Sequence, residues 1–355
     1  MSTPTVLDED GVRTQSRPAC CACGAPPVRV RYADLTDRLF SVGGKWSLVE
    51  CSDPACGMLW LDPAPVVEDL PKLYRQYYTH EREPLRHWSR LNRVFRRAEN
   101  AYLAENYGYG EVRGTWCARL QAGLMYLRPS RRATLDSDVF YLSAQLGARL
   151  LEVGCGSGAM LNRMQERGWR VEGIDFDSAA VTQARDLGLQ VRVGDILKMD
   201  LTSGTYDVVV MSHVIEHVPD PQSLLHECWR LLRPGGRLVV VTPNNRALSR
   251  RLFGRYWMPL DPPRHLALFT VSALKRLSED AGFGVETLRT TARGASGVLE
   301  ASVSIRLKGR YIMGQRPSSP LRLLGDIWQL LVSVAVLFVS GWGEEIIYIG
   351  RKPHS

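Results

Sequence analysis

The sequence predicts an α/β domain, a parallel sheet covered by helices, joined to a small cysteine-rich module. Three observations carry this. From residue 148 onward, short β-branched runs ("ARLLEVG", "RVEGID", "LQVRVGD", "YDVVVMS", "RLVVVTP") alternate with helical patterns, as βαβ units do. A glycine turn, "GCGSG", stands directly after the first run and before a helical stretch, where a parallel sheet receives its ligand. Cys20, Cys23, Cys51 and Cys56 fall in two knuckles within a stretch too short to be held by its core alone.

The elements follow in chain order. With 355 residues, 45% of them hydrophobic, the chain can bury a sizeable core. Residues 1–18 are polar and net acidic, without an apolar run behind a basic start, and read as a flexible tail rather than a signal peptide. Residues 19–65 show alternating runs such as "VRVRY" and "KWSLVEC" and form the zinc-ribbon-like module. Residues 66–147 read as a helical linker or cap. Within it Arg82, Arg86, Arg90, Arg93 and Arg97 share one helical face, opposite Trp88, Leu91, Phe95, Ala98 and Tyr102. That face suits solvent, lipid head groups or an anionic acceptor. The α/β domain covers 148–352, and its last two strands, near 281–291 and 344–352, enclose an insertion at 292–343.

The net charge of +8 favours an acidic partner, which can be nucleic acid, an anionic lipid surface or a phosphorylated substrate. Eight cysteines without an export signal read as thiols or metal ligands, which makes the cytoplasm the expected compartment.

The glycine turn carries the most chemistry. Gly154, Gly156 and Gly158 allow a ligand to approach the backbone, Asp175 at the second strand tip can accept from a ribose diol, and Asp195 at the third can accept from a purine amine. The spacing is not the G-x-G-x-x-G of dinucleotide dehydrogenases. With "EVGCGSG", Asp175, the "GD" at Asp195, "YDVVVMSHVIEHVPDP" and "LLRPGGRLVVVTPN", the chain resembles the class I S-adenosylmethionine-dependent methyltransferases over roughly 148–352. The resemblance implies a Rossmann-like seven-stranded sheet with helices on both faces. It also implies that the backbone of Gly154–Gly158 cradles the methionine part of the cofactor and that Glu152 orients its ammonium. Asp175 would hold the ribose, Phe176 would flank the adenine, Asp195 would receive its amine, and Ser212 with His213 would line the methionine end.

Methyl transfer to a protonated acceptor needs a base. His217, beside Glu216 and near Asp220, and His265, in "LDPPRHLALFT", are the candidates, with Arg264 as a possible anion clamp and Tyr256 and Trp257 lining or covering the pocket. No ligand pattern here names a catalytic metal. The expected acceptor is a hydroxyl or carbon of a sugar-derived, lipid-linked or natural-product molecule. The alternative is a ribosomal or transfer RNA methyltransferase using the module to bind RNA; "SHVIEHVPDP" in place of the Asn-Pro-Pro-Tyr type used on flipped bases argues against nucleic acid. A non-catalytic binding protein keeping the fold is a third reading.

Cys20-x2-Cys23 and Cys51-x4-Cys56, each followed by glycine, suit a structural zinc with four thiolates, with Cys21 as a substitute for Cys20. Such a ribbon ahead of this domain resembles a bacterial subgroup associated with sugar, polysaccharide and secondary-metabolite modification. The last feature is "IWQLLVSVAVLFVSGW" at 327–342, sixteen uncharged residues. At about 1.5 Å each they reach ~24 Å, short of the ~30 Å of hydrocarbon that a span must cross. Because two strands of one sheet flank the insertion, it must leave and return on one side, most simply as a helical hairpin whose other arm is "SGVLEASVSIRLKGR". Packing on the domain or a second copy, shallow insertion at the inner membrane face, or a paired span would each satisfy it.

Overall fold

A computed structural model of the chain describes residues 11–74, 90–110 and 114–354. The first segment holds strands β1 (Thr14–Gln15), β2 (Pro27–Leu35), β3 (Trp46–Cys51), β4 (Leu59–Leu61) and β5 (Ala64–Pro65). Helices α1 (Arg90–Tyr107), α2 (Trp116–Gly123) and α3 (Pro129–Ser137) follow. The α/β part runs β6 (Arg149–Val153), α4 (Ala159–Glu166), β7 (Arg170–Asp175), α5 (Ser178–Asp186), β8 (Gln190–Val193), β9 (Tyr206–Ser212), α6 (Pro221–Leu231) and β10 (Leu232–Pro243). After it come α7 (Leu248–Phe253), β11 (Ala267–Leu268), α8 (Val271–Asp280), β12 (Gly284–Thr291), α9 (Ala295–Lys308), α10 (Ser319–Phe338) and β13 (Glu345–Arg351). The seven-stranded sheet has the order β12-β13-β10-β9-β6-β7-β8. It is mixed: β6–β7 and β7–β8 are parallel, and β13 is antiparallel to both β10 and β12.

Two compact units divide the chain, Tyr78–Val210 with Leu231–Gly236, and Met1–Tyr77 with Met211–Arg230 and Arg237–Ser355. In the first, β6 reads Arg-Leu-Leu-Glu-Val and is buried beyond its first residue, as a strand covered on both faces must be. Helix α5 starts where it does because the Asp177 carboxylate accepts from the N–H groups of Ala179 and Ala180. On α1, Ala98 and Tyr102 are buried and Arg97 is exposed. Arg82, Arg86, Trp88 and the side chains of Arg90, Leu91 and Arg93 lie outside the described residues.

The second unit differs from the boundaries expected from the sequence. The cysteine-rich module is not separate: β11 adds to its sheet, giving the order β11-β4-β3-β2, and Leu48, Leu61, Leu73, Phe253, Trp257 and Leu299 share one buried cluster. Nor does the expected tail stay free to residue 18. Thr14–Gln15 pairs antiparallel with Ala64–Pro65, the Arg13 backbone and guanidinium donate to Asp69, and Trp60 Nε1 donates to the Arg17 carbonyl. Each of these contacts joins residues more than forty positions apart, beyond the reach of local composition.

One buried knot ties the module to the rest of this unit. Arg264 Nη1 and Nη2 donate to the two Asp37 oxygens at 2.7 Å each, and the same guanidinium bonds both Asp261 oxygens. The Arg264 and Asp37 side chains are fully buried. Asp37 also accepts from the N–H groups of Leu39, Phe40 and Val42, and despite burial these donors and the guanidinium hold its carboxyl below the usual range. Removing one partner of such a pair leaves an uncompensated buried charge. Asp37→Ala is expected to cost about 3–5 kcal/mol in denaturant unfolding, whereas Arg29→Ala, which breaks the exposed Arg29–Glu50 pair, is expected to cost under about 1 kcal/mol.

Candidate functional site

In the first unit Glu152, Asp175, Phe176 and Asp195 lie at or beside the strand ends around the glycine turn. Gly154, Gly156 and Gly158 all have positive φ, 72°, 53° and 79°, which a residue with a Cβ adopts only with strain. Their surroundings separate their tasks. A Cβ on Gly158 would lie 2.5 Å from Leu189 and 2.9 Å from Ala184, so this glycine lets α4 start against α5 and its following turn. A Cβ on Gly156 would meet nothing within 4 Å, so this glycine faces open space. The Asp175 carboxylate fixes the turn, accepting from Gly156 N at 2.7 Å and Asp177 N at 2.9 Å.

Glu152, one layer below, is buried, and its Oε2 has no hydrogen-bond partner. Burial, then the nearby Asp175 charge, pushes its carboxyl well above the usual range; burial raises Asp175 too, against the backbone N–H groups that favour its charged form. An orphaned carboxylate oxygen beside a second carboxylate, under a turn with open space at Gly156, fits a ligand that brings a positive charge. Phe176 is 56% exposed at the tip of β7 and offers an aromatic face. Gly194 N donates to the Asp175 carbonyl, which places Asp195 at the neighbouring tip. One Asp195 oxygen caps the following turn by accepting from Leu197 N, and the carboxylate remains half exposed.

In the second unit β9 ends at Ser212, and His213 follows with φ 56°. Its Nδ1 lies 3.3 Å from Glu216 Oε1 and its Nε2 3.1 Å from Glu345 Oε1. Burial opposes its charge, yet the two carboxylates outweigh it and push the imidazole up to about 10. His213 is therefore a cation at neutral pH, with one carboxylate on each ring nitrogen, and is not suited to proton abstraction. Burial, followed by repulsion from His265, brings His217 down to about 4, so it is neutral. His217 Nδ1 lies 3.1 Å from the Arg264 carbonyl and 3.1 Å from the Tyr74 hydroxyl, and His265 Nδ1 lies 2.7 Å from the Pro259 carbonyl. Carbonyl oxygens only accept, so both Nδ1 atoms carry a proton, which leaves Nε2 of neutral His217 with its lone pair.

The rings stand edge to face with centroids 4.7 Å apart, and a ligand atom from each lies within 4.8 Å of a Glu216 oxygen. Glu216 is fully buried; Thr242 donates to Oε2, and despite burial its hydrogen bond with His213 takes it down to about 2. An anionic carboxylate beside two imidazoles can stabilise an imidazolium or hold a divalent cation. The sequence reading missed this grouping. Its signal was the adjacent Glu216 and His217; the third member arrives because Leu266 N bonds the Glu216 carbonyl.

Two expectations for the neighbouring loop do not hold. Arg264 is no anion clamp, since its donors are taken by Asp37 and Asp261 inside the protein. Trp257 is a core residue, 1% exposed, with Nε1 donating to Ser249 Oγ, while Tyr256 is half buried against the same cluster.

The four cysteines converge as expected. Cys20 Sγ and Cys56 Sγ are 3.7 Å apart, Cys23 Sγ and Cys51 Sγ 3.4 Å, and all four lie within 4.8 Å of one another. A tetrahedron of sulfurs about 2.3 Å from one ion has edges of roughly 3.8 Å, so the set can hold a metal. The glycine after each second cysteine is explained by its positive φ, 73° at Gly24 and 57° at Gly57. Cys21 is exposed and outside the set. The knuckles are braced from the C-terminal part: Asn245 donates to the Gly57 carbonyl, Thr270 to that of Cys56 and Ser272 to that of Ala55.

Comparison with known proteins matches a methyltransferase domain to residues 127–288. A protein of Mycolicibacterium smegmatis described as a "probable S-adenosylmethionine-dependent methyltransferase" is 38% identical over 151 residues, 42% of this chain and 57% of its own. A ubiquinone biosynthesis O-methyltransferase of Aeromonas salmonicida is 34% identical over 175 residues, 46% of this chain and 71% of its own. The chain spans about half the length of the first curated relatives it matches. Among solved structures, an S-adenosylmethionine dependent methyltransferase from Mesorhizobium loti aligns with TM-score 0.43 and 18% identity, covering 62% of this chain and 97% of that one.

The thiols provide a direct check on the cysteine cluster. In native protein a thiol reagent is expected to modify exposed Cys117 first and exposed Cys21 more slowly, because the Cys21 thiol is pushed up to about 12. Cys20, Cys23, Cys51 and Cys56 should react only after treatment with a strong chelator. Equal reaction of all six before chelation would show that no ion joins the four sulfurs.

Proposed function

We propose, because the chain belongs to the class I S-adenosylmethionine-dependent methyltransferases, that it moves a methyl group onto a hydroxyl or carbon of a sugar-derived, lipid-linked or natural-product acceptor. The observation that carries the proposal is the cradle of the first unit: a left-handed glycine turn pinned by Asp175 above a buried Glu152 with an unpartnered oxygen. The cofactor supplies a methyl group made electrophilic by its sulfonium. Glu152 meets the ammonium, the turn receives the methionine part, Asp175 uses its remaining lone pairs on the ribose hydroxyls, and Phe176 and Asp195 bracket the adenine. Ser212 ends β9, and beside it the cationic His213 holds the Glu216 and Glu345 carboxylates. Relatives described as ubiquinone biosynthesis O-methyltransferases favour an oxygen acceptor over a carbon one.

The acceptor proton goes to Nε2 of His217 or His265, and the Glu216 carboxylate steadies the imidazolium that results. Zinc is the fitting ion for the four thiolates. The module shares its core and its knuckle bonds with the C-terminal part, which supports a propping role and disfavours the reading of an RNA-binding attachment. A second reading of the His217–His265–Glu216 group is a divalent cation that polarises the acceptor, favoured by the convergence of its three ligand atoms.

Asp175→Ala should weaken cofactor affinity by ~1–3 kcal/mol, since it removes the ribose acceptor and unpins the turn. Calorimetry finding unchanged affinity would sink the assignment of the cradle. His217→Ala or His265→Ala should lower kcat by about 10²–10⁴ with cofactor affinity retained; full activity in both variants excludes the base. The protonation states give kcat/KM two limbs. Activity should rise with pH as His217 loses its proton near 4 and fall as His213 loses its own near 10. Metal analysis should find one zinc per chain, lost in Cys23→Ser. A second equivalent that survives this change but is lost in Glu216→Gln would replace the base with the cation.

A further inference from the structure

The insertion between β12 and β13 is a helical hairpin, and α10 has two unlike faces. Gly325, Gln329 and Val332 are buried. A Cβ on Gly325 would stand 2.6 Å from Ser296 Oγ and Glu300 Oε1, so α10 lies close against α9 there. Gln329 Nε2 donates to the Ala292 carbonyl at 2.6 Å and its Oε1 accepts from Ser296 N, pinning the helix to the base of the hairpin. On the other side Leu323, Ile327, Leu331, Val334, Leu337 and Phe338 are all exposed, Phe338 by 83%. At 100° per residue these positions fall within an arc of about 120°, and the buried positions lie opposite. Only 17% of the apolar part of this helix is buried, although its mean hydropathy is 1.7.

The charge beside this face identifies what covers it. Between residues 306 and 322 the exposed charged groups are Arg306, Lys308, Arg310, Arg316 and Arg322, with no acidic residue, and Leu307, Ile312 and Met313 are exposed among them. Further along the helix Asp326 is the one acidic group. An apolar face about 24 Å long with a cationic tip matches a bilayer that presents anionic head groups over hydrocarbon. A second copy packed insertion to insertion would have only Glu300 and Asp326 to set against the five basic groups of this tip. Crossing the bilayer is blocked by the partner arm: Ala295, Val298, Leu299, Ala301 and Ile305 of α9 are buried within this unit. The hairpin also starts and ends on paired strands, Thr291 opposite Glu345.

We propose that the exposed face of α10, with the basic tip at 306–322, docks this protein in the plane of an anionic lipid bilayer. The inference stands apart from the choice of acceptor and from the catalytic roles above. Its test is sedimentation of the full chain with vesicles of phosphatidylcholine alone and of phosphatidylcholine with one third phosphatidylglycerol. Binding is expected with the second only, reduced several-fold by raised salt. It should fall by at least about tenfold in Leu331→Asp/Val334→Asp and in Arg306→Glu/Lys308→Glu, while both variants keep wild-type cofactor affinity and helical circular dichroism. Equal sedimentation with both vesicle types, or with neither, overturns the proposal. So does ultracentrifugation showing a dimer that Leu331→Asp/Val334→Asp converts to monomer, or membrane-bound protein that carbonate does not release.

Discussion

The second unit depends on the guanidinium of Arg264. Its side chain is shared between Asp37, from the N-terminal module, and Asp261, while its own carbonyl takes the Nδ1 proton of His217 and the next residue is His265. One residue thus fixes the module and sets the tautomer of a candidate base. A buried ion pair rarely repays its desolvation against a well-packed apolar substitute. What it contributes here is position: the fork must meet Asp37 in one orientation, so the backbone that carries both histidine contacts has one place to go. The module, in turn, is held by its core, by carbonyls at its knuckles and by this fork, and a metal at the four sulfurs would stiffen the knuckles themselves.

Two pairs of buried carboxylates behave in opposite ways, and the difference is the supply of cations. Glu216 and Glu345 share His213, and Arg293 donates to Glu345 at 2.7 Å; both carboxyls sit below their usual range although buried. Glu152 and Asp175 have only backbone N–H groups or nothing, and both are raised. Among the described residues no ion pair reaches either of them. Burial is common to all four, so it cannot explain the opposite signs. A fold that leaves two acids short of positive charge under an open glycine turn has left a place for a cationic ligand, whereas the acids near His217 are already neutralised and serve the imidazoles.

Local signals showed what local forces decide. The strands were legible because buried parallel strands must be continuous runs of aliphatic residues, the turn because Gly154, Gly156 and Gly158 need positive φ, and the knuckles because Gly24 and Gly57 do. Contacts set by long loops were not legible. Nothing near Asp37 points to Arg264, 227 positions away, and nothing near Trp60 points to Ala267, its partner in β11. Arg264 looked like an anion clamp because an arginine beside a histidine in a polar loop usually faces solvent; its burial depends on nearby Asp261 and on Asp37, which only the fold brings in. Glu216, His217 and His265 illustrate the middle case, since two of the three are adjacent and the third is placed by a backbone bond between Leu266 and Glu216.

The long apolar run near the C-terminus shows why hydropathy alone misjudges a helix. Its mean hydropathy would admit it to a membrane span, yet its middle carries Gln329, whose amide is satisfied on both sides by the 292–296 turn. Moving the helix across a bilayer would break those bonds and strip a polar group in hydrocarbon, a cost of several kcal/mol at roughly the depth where water is absent. Sliding it along the surface breaks nothing, because the exposed aliphatic side chains are those facing away from Gln329. The single polar stripe therefore decides the orientation: the helix is anchored inward by an amide and two small contacts, and only its outer arc is left for lipid.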